Sequence, residues 1–144
     1  MEKQLVYPAE IQSIPGIRAD LEKLGRDWDI PRSELRQILI IIEELFSNSV
    51  RYAFRDNREH RIEFLLRREG MLFSIEIIDD GIPFNPSEYR PFLVSDPVDT
   101  GDGGMGLTLI RTFSDSINYT REGDKNHLLI RKSLHGTSDL TCPG

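Results

Sequence analysis

The stretch that decides the fold runs from Ile38 to Phe54 and reads ILIIIEELFSNSVRYAF. Its apolar residues recur at spacings of three and four, which is the period of an amphipathic helix. One stripe of this helix is apolar until its small and polar end, and it consists of Leu35, Ile38, Ile42, Leu45, Ser49 and Tyr52. Glu44 and Asn48 are four residues apart, so their side chains lie on one face, a turn apart. They are either a solvated edge of the helix or a pair that binds a ligand.

The rest of the chain supplies elements that can pack on this helix. Apolar spacing predicts an earlier helix from Pro15 to Trp28 and a later one over residues 106–114. Ser33 is a candidate N-cap for the central helix, which we expect to end near Arg55. Partly alternating or short apolar runs predict five strands, at residues 3–7, 61–67, 71–78, 116–121 and 127–133. This order favours an α+β fold with a mixed, mostly antiparallel sheet and about three helices on one face.

Length and composition are those of one soluble globular domain. The 144 residues carry 38% hydrophobic and 29% charged side chains, and the formal net charge of -6 argues against a nucleic-acid binder. We expect a single domain over residues 1–136 and a flexible tail over 137–144. The one cysteine excludes an internal disulfide, and the three histidines lack the spacing of zinc ligands. With no long apolar run in the sequence, we predict no membrane segment and a cytoplasmic protein.

A second stretch, Asp79 to Phe84 (DDGIPF), follows a predicted strand. An Asp-Gly pair often forms only a turn, because both residues tolerate turn dihedrals. Alternatively, a buried Asp79 accepts a hydrogen bond from an exocyclic amine such as adenine N6. Gly81 would then allow the backbone to approach a flat ring closely.

A third stretch, Gly101 to Leu107 (GDGGMGL), precedes the predicted third helix. Glycines before a helix N-terminus can present several N–H groups to an anion, although a flexible hinge is the plainer interpretation. The spacing formally matches G-x-G-x-x-G, but a proline-rich loop precedes it where a dinucleotide-binding fold needs a buried strand. The chain also contains no Gly-Lys-Ser/Thr, so a P-loop is excluded.

Taken together, the three stretches resemble the N, G1 and G2 boxes of the GHKL ATPase superfamily. The matching patterns are Glu44-x-x-x-Asn48, Asp79-x-Gly81-x-Pro83-Phe84 and Gly103-Gly104-Met105-Gly106-Leu107. Within that superfamily, the small size, the Pro-Phe after the second box and the Leu-Ile-Arg after the third are similar to anti-sigma factor serine kinases of the RsbW and SpoIIAB type. The resemblance covers roughly residues 3–134. It implies a Bergerat-type two-layer α/β sandwich.

The resemblance also implies a role for each matching residue. Asn48 would coordinate Mg²⁺, and Glu44 would be the general base that activates the attacking hydroxyl. Asp79 would bind adenine N6, with Gly81 packed at the ring and Pro83 and Phe84 beside it. In the third box, Gly104 and Gly106 would contact the phosphates of ATP, and Gly103, Met105 and Leu107 would belong to the same cofactor-binding segment. Tyr52 departs from the family, which often has histidine four residues after the asparagine.

The implied function is an ATP-dependent protein serine/threonine kinase and anti-sigma factor. Its expected partners are a STAS-type anti-anti-sigma protein, phosphorylated on serine, and a sigma factor, and a homodimer is a further expectation. An alternative is a nucleotide-dependent switch that holds a partner without phosphoryl transfer. A third possibility is a plain α+β interaction domain that binds no nucleotide.

Overall fold

The computed structural model describes residues 1–85 and 110–135. Strand β1 spans Glu2–Pro8, and a short 3-10 helix at Ile11–Ser13 leads into helix α1, Ile14–Asp27. Helix α2 spans Arg32–Tyr52, and strands β2 and β3 span Arg61–Glu69 and Leu72–Asp79. After the gap, residues 110–113 are helical. Strands β4, Ser116–Glu122, and β5, Lys125–Ser133, complete the described chain.

The five strands form one antiparallel sheet in the order β1-β2-β3-β5-β4. Two tight hairpins join β2 to β3 and β4 to β5, and each turn contains a glycine with positive φ, Gly70 and Gly123. Because β5 lies between β3 and β4, the end of β3 is next to the start of β5. Asp79 therefore pairs in register with Asn126, 47 residues later in the chain.

The helices pack on one face of this sheet. Alternate residues of β2 and β3 point to that face and are buried. Most of the residues between them are more exposed, and Leu65 and Leu72, for example, are each 37% exposed. The core joins α1, α2 and residue 110 to the sheet through Ile17, Leu21, Ile38, Ile42, Leu45, Phe46, Phe64, Phe73, Ile75, Ile110 and Ile130. Three buried phenylalanines and many β-branched side chains make this a conventional close-packed interior. Within the described ranges, no helix has both the length and the apolarity needed to cross a membrane.

The predicted α+β class and the helices on one face are confirmed. In the described ranges every strand pairing is antiparallel, so the sheet contains no parallel pair there. The predicted boundaries that fall within the described residues agree to within about two residues, except at α2, and the predicted start of the third helix at residue 106 lies outside those residues. That helix ends at Tyr52 rather than near Arg55, and the Ala53 carbonyl accepts a hydrogen bond from the Ile82 N–H at 2.7 Å.

The prediction of Ser33 as the N-cap is wrong. Pro31 occupies the cap position with extended backbone, and its carbonyl accepts the Leu35 N–H at 2.9 Å, so Ser33 already lies in the first turn. The nearby Glu34 carboxylate, favourably placed for the helix dipole, pairs instead with Lys132 Nζ of β5 at 2.9 Å. This ion pair is buried, and it fixes the start of α2 against the sheet.

Candidate functional site

The site forms where β3, β5 and the last turns of α2 meet. Asp79, the last residue of β3, is only 6% exposed. Its Oδ1 accepts hydrogen bonds from the Gly81 N–H at 2.9 Å and from Asn126 Nδ2 at 2.8 Å. Within residues 1–85 and 110–135, its Oδ2 accepts only a long bond from Ser49 Oγ of α2, at 3.4 Å. The carboxylate is thus held by three separate elements of the fold.

Asn126 is the residue at this site that sequence reasoning missed. Its Nδ2 also donates to the Ile82 carbonyl at 2.8 Å. Its Oδ1 accepts from the Tyr119 hydroxyl, from the Phe84 N–H at 3.3 Å and from Arg121 Nη1 at 3.2 Å. In the sequence Asn126 lies in a turn-like run, EGDKN, and only the β3–β5 register places it beside Asp79. No local signal distinguishes it from an ordinary turn asparagine.

Gly81 is required by packing within the protein itself. A Cβ at this position would lie 2.4 Å from the Ala53 carbonyl oxygen and 2.7 Å from the Ala53 Cβ. Real Cβ atoms essentially never approach other atoms this closely, so the glycine allows the turn after β3 to contact the end of α2. The Ile82–Ala53 hydrogen bond holds the two segments at that distance.

Asn48 is fully buried, with 0% exposure, one residue before the Ser49 that contacts Asp79. Neither Oδ1 nor Nδ2 of its amide has a hydrogen-bond partner among the described residues. Glu44 precedes it by one turn of α2 and is half-buried. The interpretation of the pair as a solvated helix edge is therefore wrong for Asn48. A buried amide with no partner is costly and calls for an explanation.

Two aromatic side chains stand at the open end of the site. The Tyr52 and Phe84 rings lie 5.7 Å apart between centroids, whereas Pro83 is exposed. Phe84 also lines a cavity of about 10 Å³ together with Leu45, Ser49, Ile77, Asp79, Tyr119, Asn126 and Leu128. That volume is at the lower limit for one water molecule. A purine can enter beside Asp79 only if the lining side chains move apart.

His60 bridges Asp56 and Asp80 on the outer side of the same turn, and these three residues are called the clamp below. His60 contacts Asp80 through Nδ1 at 2.9 Å and Asp56 through Nε2 at 2.6 Å, and its ring stacks on Phe54. Hydrogen bonding to Asp56 raises the pKa of the His60 imidazole above its ordinary value, and the same contact lowers the pKa of the Asp56 carboxyl. The clamp joins the loop after α2 to the residue next to Asp79.

The structure brings Asp79, Gly81 and Phe84 to the end of α2 that carries Asn48, and Glu44 lies one turn earlier on the same helix. Gly103, Gly104, Met105, Gly106 and Leu107 lie outside the described residues, so their predicted role stays a prediction. In the part of the chain that is described, no three His, Cys, Asp or Glu side chains form a metal-binding group. Two histidines, His60 and His127, pair with carboxylates.

Comparison with known proteins identifies the family. Residues 7–132 match the family described as Histidine kinase-like ATPase domain. The chain belongs to this family. The chain is 30% identical over 94 residues to the serine/threonine-protein kinase BtrW of Bordetella bronchiseptica. The aligned region covers 65% of this chain and 66% of that relative. It thus spans just under two thirds of the length of that relative.

A second group of relatives aligns over more of this ATPase domain. The chain is 25% identical over 117 residues to an anti-sigma F factor of Bacillus thuringiensis, covering 81% of this chain and 80% of the relative. The fold is also found in the blue-light activated histidine kinase of Erythrobacter litoralis, with a TM-score of 0.55 and 19% identity over 74% of this chain and 32% of that one. At that identity the structural match shows the fold alone. Membership of the ATPase family implies ATP as the ligand.

Proposed function

We propose that this ATPase domain is a protein serine kinase and anti-sigma factor that phosphorylates a STAS-type anti-anti-sigma protein. The observation that carries the proposal is Asn48, a buried amide with no hydrogen-bond partner in the described part of the chain, one helical turn after Glu44 and adjacent to the Asp79 site. The family match and the names of the two groups of relatives support the same function. Each supports it at the level of the family, and the residues of the site supply the chemistry.

The donor set fits ATP with Mg²⁺. Mg²⁺ prefers oxygen ligands and usually keeps several waters, so that one or two protein oxygens and the substrate phosphates complete its shell. Asn48 Oδ1 is an oxygen of this kind, and a ligand there would satisfy the amide. The bound ion supplies charge neutralisation for phosphoryl transfer. A carboxylate cluster would have argued for a different metal site, and the described residues contain none.

Each of the proposed site residues then has a definite role. Asp79 accepts a hydrogen bond from the 6-amino group of adenine, and Asn48 orients the phosphate end from a rigid helix. Glu44 takes the proton from the hydroxyl of the substrate serine, and the serine oxygen attacks the γ-phosphorus. The bond between the γ-phosphorus and the oxygen that bridges it to the β-phosphate breaks, and ADP leaves. Because α2 carries both Glu44 and Asn48, the base and the amide keep a constant separation. Gly104 and Gly106 would contact the phosphates.

The kinase activity is tested by mixing the purified protein with Mg-ATP and candidate STAS proteins. Glu44→Gln is expected to keep ATP affinity and to lower phosphoryl transfer by about a hundredfold or more, since it removes the general base. Glu43→Gln is the matched control, because Glu43 is the neighbouring carboxylate on α2 and pairs with Arg18. Phosphoryl transfer by Glu44→Gln at the rate of the wild type would refute the assignment of the base.

Nucleotide binding is tested separately by thermal unfolding with and without Mg-ATP. Ligand at 100 times its dissociation constant adds about 2.7 kcal/mol to the free energy of unfolding. Asn48→Ala is expected to lose this stabilisation. Equal ATP affinity in wild type and Asn48→Ala would show that Asn48 has no part in binding, and no stabilisation of the wild type would leave only the plain interaction domain.

The second candidate is a switch that grips a sigma factor in a nucleotide-dependent manner and transfers no phosphate. The anti-sigma F factor relatives favour partner binding as such. ATP-dependent capture of the sigma factor by a protein that fails to phosphorylate every STAS candidate would select this alternative. A homodimer is also part of the proposal, and light scattering of the purified protein tests it.

A further inference from the structure

The two oxygens of Asp79 have different surroundings. Oδ1 accepts two well-formed hydrogen bonds, from the Gly81 N–H at 2.9 Å and from Asn126 Nδ2 at 2.8 Å. Among the described residues, Oδ2 has a single contact, with Ser49 Oγ at 3.4 Å, which is long for a hydrogen bond to a hydroxyl. The protein therefore occupies one oxygen and leaves most of the accepting capacity of the other to a ligand.

The Asn126 amide can face only one way. Its Nδ2 donates to two acceptors, Asp79 Oδ1 and the Ile82 carbonyl. Its Oδ1 accepts from three donors, which belong to Tyr119, Phe84 and Arg121. A flip of the amide would put oxygen against both acceptors and N–H groups against the donors. The donor to Asp79 is thus oriented by the whole network. Arg121 strengthens this, since its Nη1 also binds the Gly81 carbonyl at 2.7 Å.

We infer that Asn126 is a positioning residue that makes the site selective for a 6-amino purine. This rests on the proposed function, in which Asp79 receives the adenine ring. By holding Oδ1, Asn126 keeps the carboxylate from rotating and directs Oδ2 toward the ligand. A carboxylate only accepts hydrogen bonds, so an oriented Oδ2 favours an amino group and disfavours the 6-oxo group of guanine, which is also an acceptor. A carboxylate free to rotate would discriminate less.

The test is a cycle that combines a protein change with a ligand change. Dissociation constants are measured with Mg²⁺ for ATP and for purine riboside triphosphate, which lacks the 6-amino group, in wild type and Asn126→Ala. The wild type is expected to prefer ATP by about tenfold, the value of one hydrogen bond to a charged group. In Asn126→Ala the preference should shrink to about threefold or less, and the preference for ATP over GTP should fall with it.

Two further variants keep the measurement decisive. Asn118→Ala is the matched control, because Asn118 is an exposed asparagine on β4, and it should leave the preference unchanged. If Asn126→Ala does not fold, Asn126→Ser replaces it, since the serine hydroxyl is too short to reach Asp79 as the amide does. Circular dichroism and a melting curve establish that each variant is folded.

The outcomes separate the inference from the proposed function. Equal weakening of both nucleotides in a folded Asn126 variant, with the ATP preference intact, assigns Asn126 a purely structural role and overturns the inference alone. A wild-type protein that binds no adenine nucleotide overturns the proposed function and the inference together. A loss of preference confined to the Asn126 variants supports the inference.

Discussion

Asn126 and Asn48 are two buried asparagines of the same site with opposite surroundings. Asn126 is 4% exposed, and both polar atoms of its amide are bonded by neighbours in the fold. Asn48 is 0% exposed, and neither polar atom has a partner among the described residues. The amide of Asn126 is fully hydrogen-bonded without a ligand, whereas the amide of Asn48 forms no hydrogen bond with the described residues.

The difference indicates how the site divides its work. The end that we propose for the purine is assembled by the protein alone, because Asp79, Asn126 and Gly81 satisfy one another. The phosphate end depends on what binds there. Burying an unpaired amide costs about 1–3 kcal/mol of folding free energy. A ligand that forms hydrogen bonds or a metal contact with the amide offsets this loss. The unsatisfied amide of Asn48 is therefore the part of the site that departs from the most stable fold, whereas the network around Asp79 contributes to stability.

The largest effect is expected for Asn126→Leu. This change removes the hydrogen bonds that Asn126 makes with the Ile82 carbonyl and the Phe84 N–H, and it removes a donor from the buried Asp79. We expect the free energy of unfolding to fall by about 3 kcal/mol or more, since several buried polar groups lose partners at once. Urea denaturation measures it. A loss below about 1 kcal/mol would mean that the network contributes little, and the contrast between the two asparagines would fail.

Gly81→Ala tests the contact between the turn after β3 and the end of α2. The new Cβ would meet the Ala53 backbone at 2.4 Å, and a backbone carbonyl cannot move aside cheaply. We expect a loss of about 2 kcal/mol by denaturation, in the range measured for overpacked sites. Gly16→Ala is the control, since a Cβ there meets nothing within 4 Å and the residue is in α1. That control should be neutral or slightly stabilising.

Asn48→Leu is expected to have the opposite sign. Replacing an unpartnered amide by an apolar side chain of similar size should raise the free energy of unfolding of the ligand-free protein by about 1 kcal/mol. The same variant should lose stabilisation by Mg-ATP. Paired denaturation curves with and without nucleotide measure both effects. A destabilised Asn48→Leu would show that the amide is satisfied within the fold, which would remove the main reason for placing a ligand there.

The smallest effect is the pH dependence contributed by His60. Because contacts with Asp56 and Asp80 raise the pKa of the imidazole, its stabilising contribution is fully present below the unfolded value of 6.5 and is lost as pH rises through the folded value. The difference in melting temperature between wild type and His60→Gln should therefore shrink from weakly acidic to alkaline pH. A difference that grows with pH would show that the clamp works with a neutral ring.

The sequence was informative wherever the signal is local. The helical period of Ile38 to Phe54, the paired Glu44 and Asn48, and the Asp-Gly turn after β3 were all predictable, since each depends on residues a few positions apart. The predicted cap at Ser33 failed because Pro31 occupies the cap position two residues earlier. The third glycine-rich stretch lies outside the described residues and stays a prediction.

By itself, then, the sequence determined the α+β class, the face of α2 that is buried and the family to which the chain belongs. Only the tertiary structure decided that β5 lies beside β3, and this strand order brings Asn126 to Asp79 and orients the carboxylate. Likewise, only the folded chain shows that Gly81 contacts Ala53 and that the Asn48 amide is sealed from solvent. The physical reason is the same in each case. Helical period and turn chemistry are short-range properties, whereas strand order, burial and hydrogen-bond partners depend on residues that are far apart in the chain and meet only when it folds.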